Sequence, residues 1–357
     1  MNPTPSNPGV FGKRVTLGDV ARRCAVSLQS VSLALRNQGS LAAGTRARIK
    51  AAAAELGYAP DPVLSALVHY RQRKRRTFAS ATLAYLTNHP TGDGWRPHYF
   101  FQQAWLGAAE RAARLGYRLE HFWMADPKLG PARLATILVT RGIRGLVIAP
   151  LPRGAGRLSF PWERFSAVAF GPSLVSPVLH AAMANHYQAM QLAWDNLWAA
   201  GYRRIGFVLD EASHLRLCGR YLAAYAIKQA ERLPSRKHVP VLREAIPSQP
   251  RLAAWLRDHR PDVVLYHDDR LVDRLRELGL SVPADIPFAS LGRLNRPEIA
   301  GVDQSAAVIG AAAINRLDLL LRDNEVGVPE RPLNFVVDGV WIAGQTVPQP
   351  KKRLART

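Results

Sequence analysis

The chain has 357 residues, 48% of them apolar and 21% charged, with 48 Lys+Arg against 27 Asp+Glu and a formal net charge of +21. That length suits two or three domains with real cores, and the mix excludes wholesale disorder. The charge points to a polyanionic or membrane partner and says nothing about fold.

The surplus is uneven. Residues 1–80 hold 13 basic and 3 acidic residues, the remaining 277 hold 35 and 24, and 40 of the 48 basic residues are Arg. Arg suits phosphate and guanine through bidentate geometry, although an Arg-rich genome composition also accounts for the ratio. Cys24 and Cys218 make no framework or metal pattern, and fit a reducing compartment. No apolar run approaches the ~20 residues of a membrane span. Residues 1–13, Pro/Asn/Ser-rich and without an apolar centre, read as a disordered lead-in and not a signal peptide.

Three short helices are predicted next. Thr16 N-caps 17–24, with Asp19 completing a capping box. Ala25-Val26 is a tight turn, Ser27 caps 28–36, and 43–56 stops at Gly57. Val20, Ala21, Val31, Leu35, Ile49, Ala53 and Leu56 can close one small core, with Cys24 a small core residue. This is the helix-turn-helix plan, and any three-helix bundle with polar faces shares the pattern. As a DNA reader, its second helix would offer Leu28, Gln29 and Ser30 to base edges, Gln being able to pair bidentately with adenine. Asp61 then caps a short helix with Pro62 at its first position. The run Arg71-Gln72-Arg73-Lys74-Arg75-Arg76 follows, either a solvated linker or one that tracks phosphate.

From about residue 79 short apolar runs alternate with helical stretches. Strands are predicted at 81–86, 119–123, 145–149, 167–170, 205–209, 263–266 and 289–291, with helices at 101–115, 188–200, 222–232 and 272–278. This argues for parallel sheets covered by helices on both faces. Gly116-Tyr117 and Gly201-Tyr202 look like one turn used twice. They hint at two similar halves with a ligand at the strands' carboxyl ends.

The residues Val15-Thr16-Leu17-Gly18-Asp19-Val20-Ala21, Val26-Ser27-Leu28-Gln29-Ser30-Val31-Ser32, Thr45-Arg46-Ala47-Arg48-Ile49 and Glu55-Leu56-Gly57-Tyr58-Ala59-Pro60 resemble the lactose/galactose-repressor (LacI/GalR) family of bacterial transcription regulators. The resemblance continues in Arg141 to Ile148, Gly201 to Phe207 and Gly279 to Ile286. It implies an all-α helix-turn-helix headgroup at 14–60 and a hinge helix with basic linker at 61–78. A periplasmic-binding-protein-like α/β domain of two parallel-sheet lobes follows at 79–345, then a basic tail at 346–357. Lobe one would take about 79–180 and 293–322, lobe two about 185–290 and 330–345.

The same resemblance implies a cytoplasmic homodimer or dimer of dimers. It would bind a pseudo-palindromic operator as a repressor, with affinity set by a small molecule, a sugar, between the lobes. No cofactor, metal or catalytic residue is expected. The alternative is a sugar-binding receptor without a transcriptional role. Carried over by position, DNA contacts fall on Thr16, Ser27, Leu28, Gln29, Ser30, Ser32 and Arg36, with Leu67 as the minor-groove wedge. Thr16, Ser27 and Asp19 can also be caps alone, and Leu67 can simply pack hinge on hinge. Several positions depart from the family. Leu33 stands where Arg is common, Arg36 replaces the usual Asn, Ala42 replaces a Ser cap, and Pro62 and Leu64 alter the hinge.

Effector contacts fall on His98, Tyr99, Phe100, Arg216, Asp268, Asp269 and Gln304. One of Phe100 and Phe101 is expected in the core, and Asp269 is open to a structural inter-lobe role. The 87–97 loop is longer than usual, and Ala184 and Asn185 replace an acidic segment.

Overall fold

A computed structural model describes residues 15–35, 41–58, 81–152, 156–245 and 247–348. The expected lead-in, Arg36, the hinge with Pro62, Leu64 and Leu67, the basic run 71–76 and residues 349–357 lie outside the described residues. The chain forms two compact units, an N-terminal one and a larger one beginning at Ala81.

The first unit contains α1 (Leu17–Cys24), α2 (Leu28–Leu35) and α3 (Ala43–Glu55). The Thr16 hydroxyl accepts from the Asp19 amide at 3.3 Å while the Asp19 carboxylate accepts from the Thr16 amide at 2.8 Å. Both strands of the capping box are therefore made, and two orphan donors at the start of α1 are satisfied. Ala25 takes the left-handed conformation (φ 50°), and the Val26 amide donates to the Ala21 carbonyl. That tight stop lets Ser27 cap α2 by accepting from the Ser30 amide at 3.0 Å. α3 has no side-chain cap, as Ala42 leads one to expect. Val20, Val31, Ala34 and Ile49 are fully buried, Ala21, Cys24 and Ala53 nearly so, and Leu35 and Leu56 close the edge of this core.

The second unit has two six-stranded sheets. In chain order its elements are β1 (Ala81–Thr87), α4 (Tyr99–Arg114), β2 (Tyr117–Trp123), α5 (Pro131–Thr140), β3 (Gly145–Ile148), β4 (Ser166–Phe170), β5 (His180–Ala184) and α6 (His186–Ala199). They continue with β6 (Ile205–Leu209), α7 (Glu211–Arg216), α8 (Arg220–Arg232), β7 (Leu242–Arg243), α9 (Gln249–His259), β8 (Val263–Tyr266), α10 (Leu271–Glu277) and β9 (Phe288–Ser290). The last are β10 (Ala300–Asp303), α11 (Ala306–Asp323), β11 (Asn334–Val337) and β12 (Val340–Ile342).

Sheet one runs β11-β5-β4-β3-β1-β2 and is parallel throughout. Sheet two runs β12-β10-β9-β8-β6-β7 and is parallel except for β12. β3, β4, β5, β6, β8 and β9 are buried at every residue. Strands covered on both faces read as continuous apolar runs, which is why most were visible in the sequence. On one face of sheet one, α4 and α11 approach so closely that a Cβ on Gly107 would strike the Ala307 backbone, and one on Gly310 the Ala104 carbonyl.

Two expectations need correction. The strand allocation between lobes differs: β10 pairs with β9 in sheet two, and β11 pairs with β5 in sheet one. Residues 300–303 thus belong to lobe two and 334–337 to lobe one. The chain crosses between lobes three times, after β5, after β10 and after β11. The crossings bind one another: Asn185 Nδ2 donates to Asp338 Oδ1 at 2.8 Å, and the Gly339 amide donates to Gln188 Oε1 at 3.1 Å. The glycine turns are also not equivalent. Gly116 and Gly201 both have positive φ, but Gly116 precedes edge strand β2, whereas Gly201 precedes β6, the counterpart of β1.

Candidate functional site

Two surfaces bring the candidate residues together, one on each unit. On the first, α2 carries Leu28, 57% exposed, and Gln29, also exposed. Val31 and Ala34 face the core, so the opposite stripe of the helix is left outward. Ser30 and Ser32 are half-buried, while Thr16 and Ser27 are exposed. The hydroxyls of Thr16 and Ser27 serve as caps, and Ser27 also meets the Ser30 hydroxyl at 2.9 Å. Both retain lone pairs or protons toward solvent. Hydrogen bonds from Thr16 hold Asp19 down to a pKa of about 2, so it stays ionised as a cap. Arg48 ties α3 to the Cys24 carbonyl at 3.5 Å, and Arg22, Arg23 and Lys50 are exposed.

On the second unit, the carboxyl ends of β1, β6, β8 and β10 present His89, Asp210, the His267–Arg270 segment and Gln304. Tyr221 on α8 is the hub. It is 3% exposed, its hydroxyl accepts from Gln304 Nε2 at 2.7 Å, and its ring meets His186 edge-on at 5.2 Å. Gln304 also donates to the Leu291 carbonyl at 2.9 Å, so it braces the site floor.

Asp268 accepts from the Arg270 amide (2.9 Å) and Nε (2.7 Å), and lies 3.1 Å from His267 Nε2. Burial opposes its ionisation, but the His267 and Arg270 interactions outweigh burial and hold it below the usual carboxylate range. It was expected to accept sugar hydroxyls; the structure commits it to Arg270 and His267 instead. Asp269 is 1% exposed, and its Oδ2 accepts from the Leu294 amide at 2.9 Å, within lobe two and not between lobes. Burial raises its pKa, and its Oδ1 has no hydrogen-bond partner.

His98 precedes α4, packed on Phe101 with ring centroids 4.9 Å apart. Burial lowers its pKa, and the positive charges of Arg270 and Arg216 lower it further. These lobe-two guanidiniums therefore act on a lobe-one imidazole. His186 is held down to a pKa of about 3 by burial and then by Arg220 and Arg216. Phe100 packs into the core under sheet one, as does Phe101, which also meets His89. Tyr99 is half-buried in the first turn of α4. The 87–97 loop is pinned, because Trp95 is 1% exposed and its ring lies 5.5 Å from Tyr85 and 5.6 Å from Trp105.

Sequence reasoning missed Tyr221, His186, Arg220 and Arg270. Arg220 and Arg270 each stood beside a selected motif, after Gly219 and after Asp269, and His186 followed Asn185 at a strand end. Tyr221 gave no signal apart from its neighbours. Among the described residues no group of three or more His, Cys, Asp or Glu is placed to hold a metal ion, and no helix is long and apolar enough to cross a membrane.

Residues 16–61 match the family model for bacterial regulatory proteins of the lacI family, and residues 194–341 match a periplasmic binding protein-like domain. The HTH-type transcriptional regulator GntR of Escherichia coli K12 is 25% identical over 344 residues, covering 91% of this chain and 97% of its own. The HTH-type transcriptional repressor CytR of the same strain is 25% identical over 330 residues, covering 87% and 90%. A transcriptional regulator CelR–cellobiose complex superposes with a TM-score of 0.56 at 18% identity over 93% of this chain and all of that one. A lac repressor dimer bound to operator and the anti-inducer ONPF gives 0.51 at 19% over 94% and 99%. These two structures share the fold described above.

Proposed function

Because the chain belongs to the LacI family of bacterial regulatory proteins, we propose that it is a DNA-binding transcription regulator, a repressor, whose operator affinity is set by a sugar-class small molecule held between its lobes. It works as a homodimer on a pseudo-palindromic operator, acts in the cytoplasm and catalyses no reaction. The observation that carries this reading is α2, which follows a left-handed tight stop and turns Leu28 and Gln29 outward from a basic three-helix unit. Solved relatives of the same fold hold cellobiose or ribose. A receptor without a transcriptional role is not favoured, since such a protein has no use for that unit.

Leu28 and Gln29 are proposed to touch base edges in the major groove, with Thr16, Ser27, Ser30, Ser32 and Arg36 on phosphate or neighbouring bases. Leu67 is proposed to wedge the minor groove, on its position in the sequence alone. The three crossings bound through Asn185, Gln188, Asp338 and Gly339 let the lobes rotate as two bodies. A ligand that fits one lobe angle better shifts the population toward it, and operator affinity follows by linkage.

Selection from a random DNA pool tests the reading. The wild type is expected to enrich a two-fold symmetric site. Gln29→Ala should relax preference at one base pair per half-site by about 1–3 kcal/mol. Leu67→Ala should weaken the selected site far more than bulk DNA. A wild-type protein that enriches no sequence refutes the proposal.

A further inference from the structure

The cleft carries a charge that an uncharged sugar would not use. Arg216 ends α7 and Arg220 begins α8, on either side of a turn closed by Gly219 at φ 70°. With Arg270 they set three guanidinium groups against His98 and His186. Nearby carboxylates are committed elsewhere. Asp268 holds Arg270, Asp210 accepts from the Ser213 hydroxyl at 2.7 Å, and Glu211 accepts from Arg243 at 2.9 Å. Arg220 Nη1 donates across the lobes to the Met183 thioether at 3.3 Å, a weak acceptor. His186 is 7% exposed, and its Nδ1 has no hydrogen-bond partner. A guanidinium only donates, whereas a sugar hydroxyl needs acceptors as well. A wall of donors with net positive charge in a half-buried cleft suits an oxyanion, through charge-assisted hydrogen bonds.

We propose that the effector carries a carboxylate or phosphate, gripped by Arg216 and Arg220 with His186 Nδ1 as a further donor. The effector class is thus a sugar acid or a phosphorylated sugar. This rests on the reading of the cleft as the effector site. On binding, the anion displaces the Met183 contact of Arg220, so one residue senses the ligand and spans both lobes.

The test titrates the full chain at constant ionic strength with glucose, glucuronate, glucose 6-phosphate and inorganic phosphate, following the melting of the second unit. At least one anion should stabilise the wild type, and its apparent affinity should fall roughly 10- to 150-fold in Arg220→Gln, the loss expected for a charged hydrogen bond. Glucose should not distinguish the two proteins. A preference for glucuronate over both phosphates identifies a carboxylate effector, and the reverse a phosphorylated one. Phosphate bound by the basic first unit affects wild type and variant alike, so the difference belongs to the cleft. Arg220→Lys keeps the charge and should retain part of the binding. The inference is overturned if every anion acts equally on wild type and Arg220→Gln, or if glucose binds the wild type best. Pool selection keeps the two readings apart. A chain that selects DNA but binds no anion loses only this inference; one that binds anion but selects no DNA loses only the regulator reading.

Discussion

Ile49→Ala tests whether the first unit is a separate folding body on which DNA binding depends. Ile49 is fully buried among Val20, Val31 and Ala34. Truncation removes three methyl or methylene groups, roughly 2.5 kcal/mol of transfer free energy, and the cavity left behind brings the cost to about 2–5 kcal/mol. A unit of roughly 45 residues at about 0.05–0.15 kcal/mol each has only about 2–7 kcal/mol in total. The variant unit should therefore be mostly unfolded, and operator affinity should fall by the fraction that remains folded. The second unit shares none of this core, so its melting transition should stay unchanged. Band shift on a selected operator and calorimetry of the full chain read the two effects. Undiminished operator affinity, or a second-unit transition that falls with it, would refute the reasoning.

The other expectations follow from single contacts. Gly310→Ala places a Cβ against the Ala104 carbonyl and 2.8 Å from the Ala108 amide, whereas Gly44→Ala meets nothing within 4 Å. The first should lower the second unit's melting temperature by about 5–10 °C, and the second should leave that transition where it is. His186 has its pKa depressed to about 3 from the model value of 6.5. Its contribution to stability is present above 6.5 and is lost as pH falls from there toward 3. His186→Gln should flatten the melting temperature between pH 6.5 and 4.5, and an unaltered slope would count against it. Lys228 is 8% exposed and holds both Asp195 oxygens at 2.8 Å. Asp195→Ala should cost roughly 1–3 kcal/mol by leaving a buried cation unpaired, while Lys228→Met should cost less. Denaturant midpoints will rank the two.

Local features were readable because their causes are local. The capping box of Thr16 and Asp19, the stop at Ala25 and the missing cap at Ala42 each depend on side chains within three or four positions. Buried strands such as β6 and β8 showed as unbroken apolar runs. β10, β11 and β12 did not, because they are short and lie at or near the sheet's exposed end, where apolar burial is incomplete. Their exchange between lobes has no local signature. The cleft was half readable. Arg216 and Asp269 sat in recognisable motifs, but the pairing of Asp268 with Arg270 decided that Asp268 is not a free acceptor.

The sequence by itself determined the architecture: a small basic reader followed by two α/β lobes. Periodicity, caps and apolar runs are properties of neighbouring residues, and the motifs of the first 60 residues are specific. Only the tertiary structure decided which strands belong to which lobe and how the three crossings bind one another. It alone decided that Arg216, Arg220 and Arg270, from separate segments, converge on His98 and His186. Convergence depends on how the two sheets present their carboxyl ends, and no single stretch of chain encodes that.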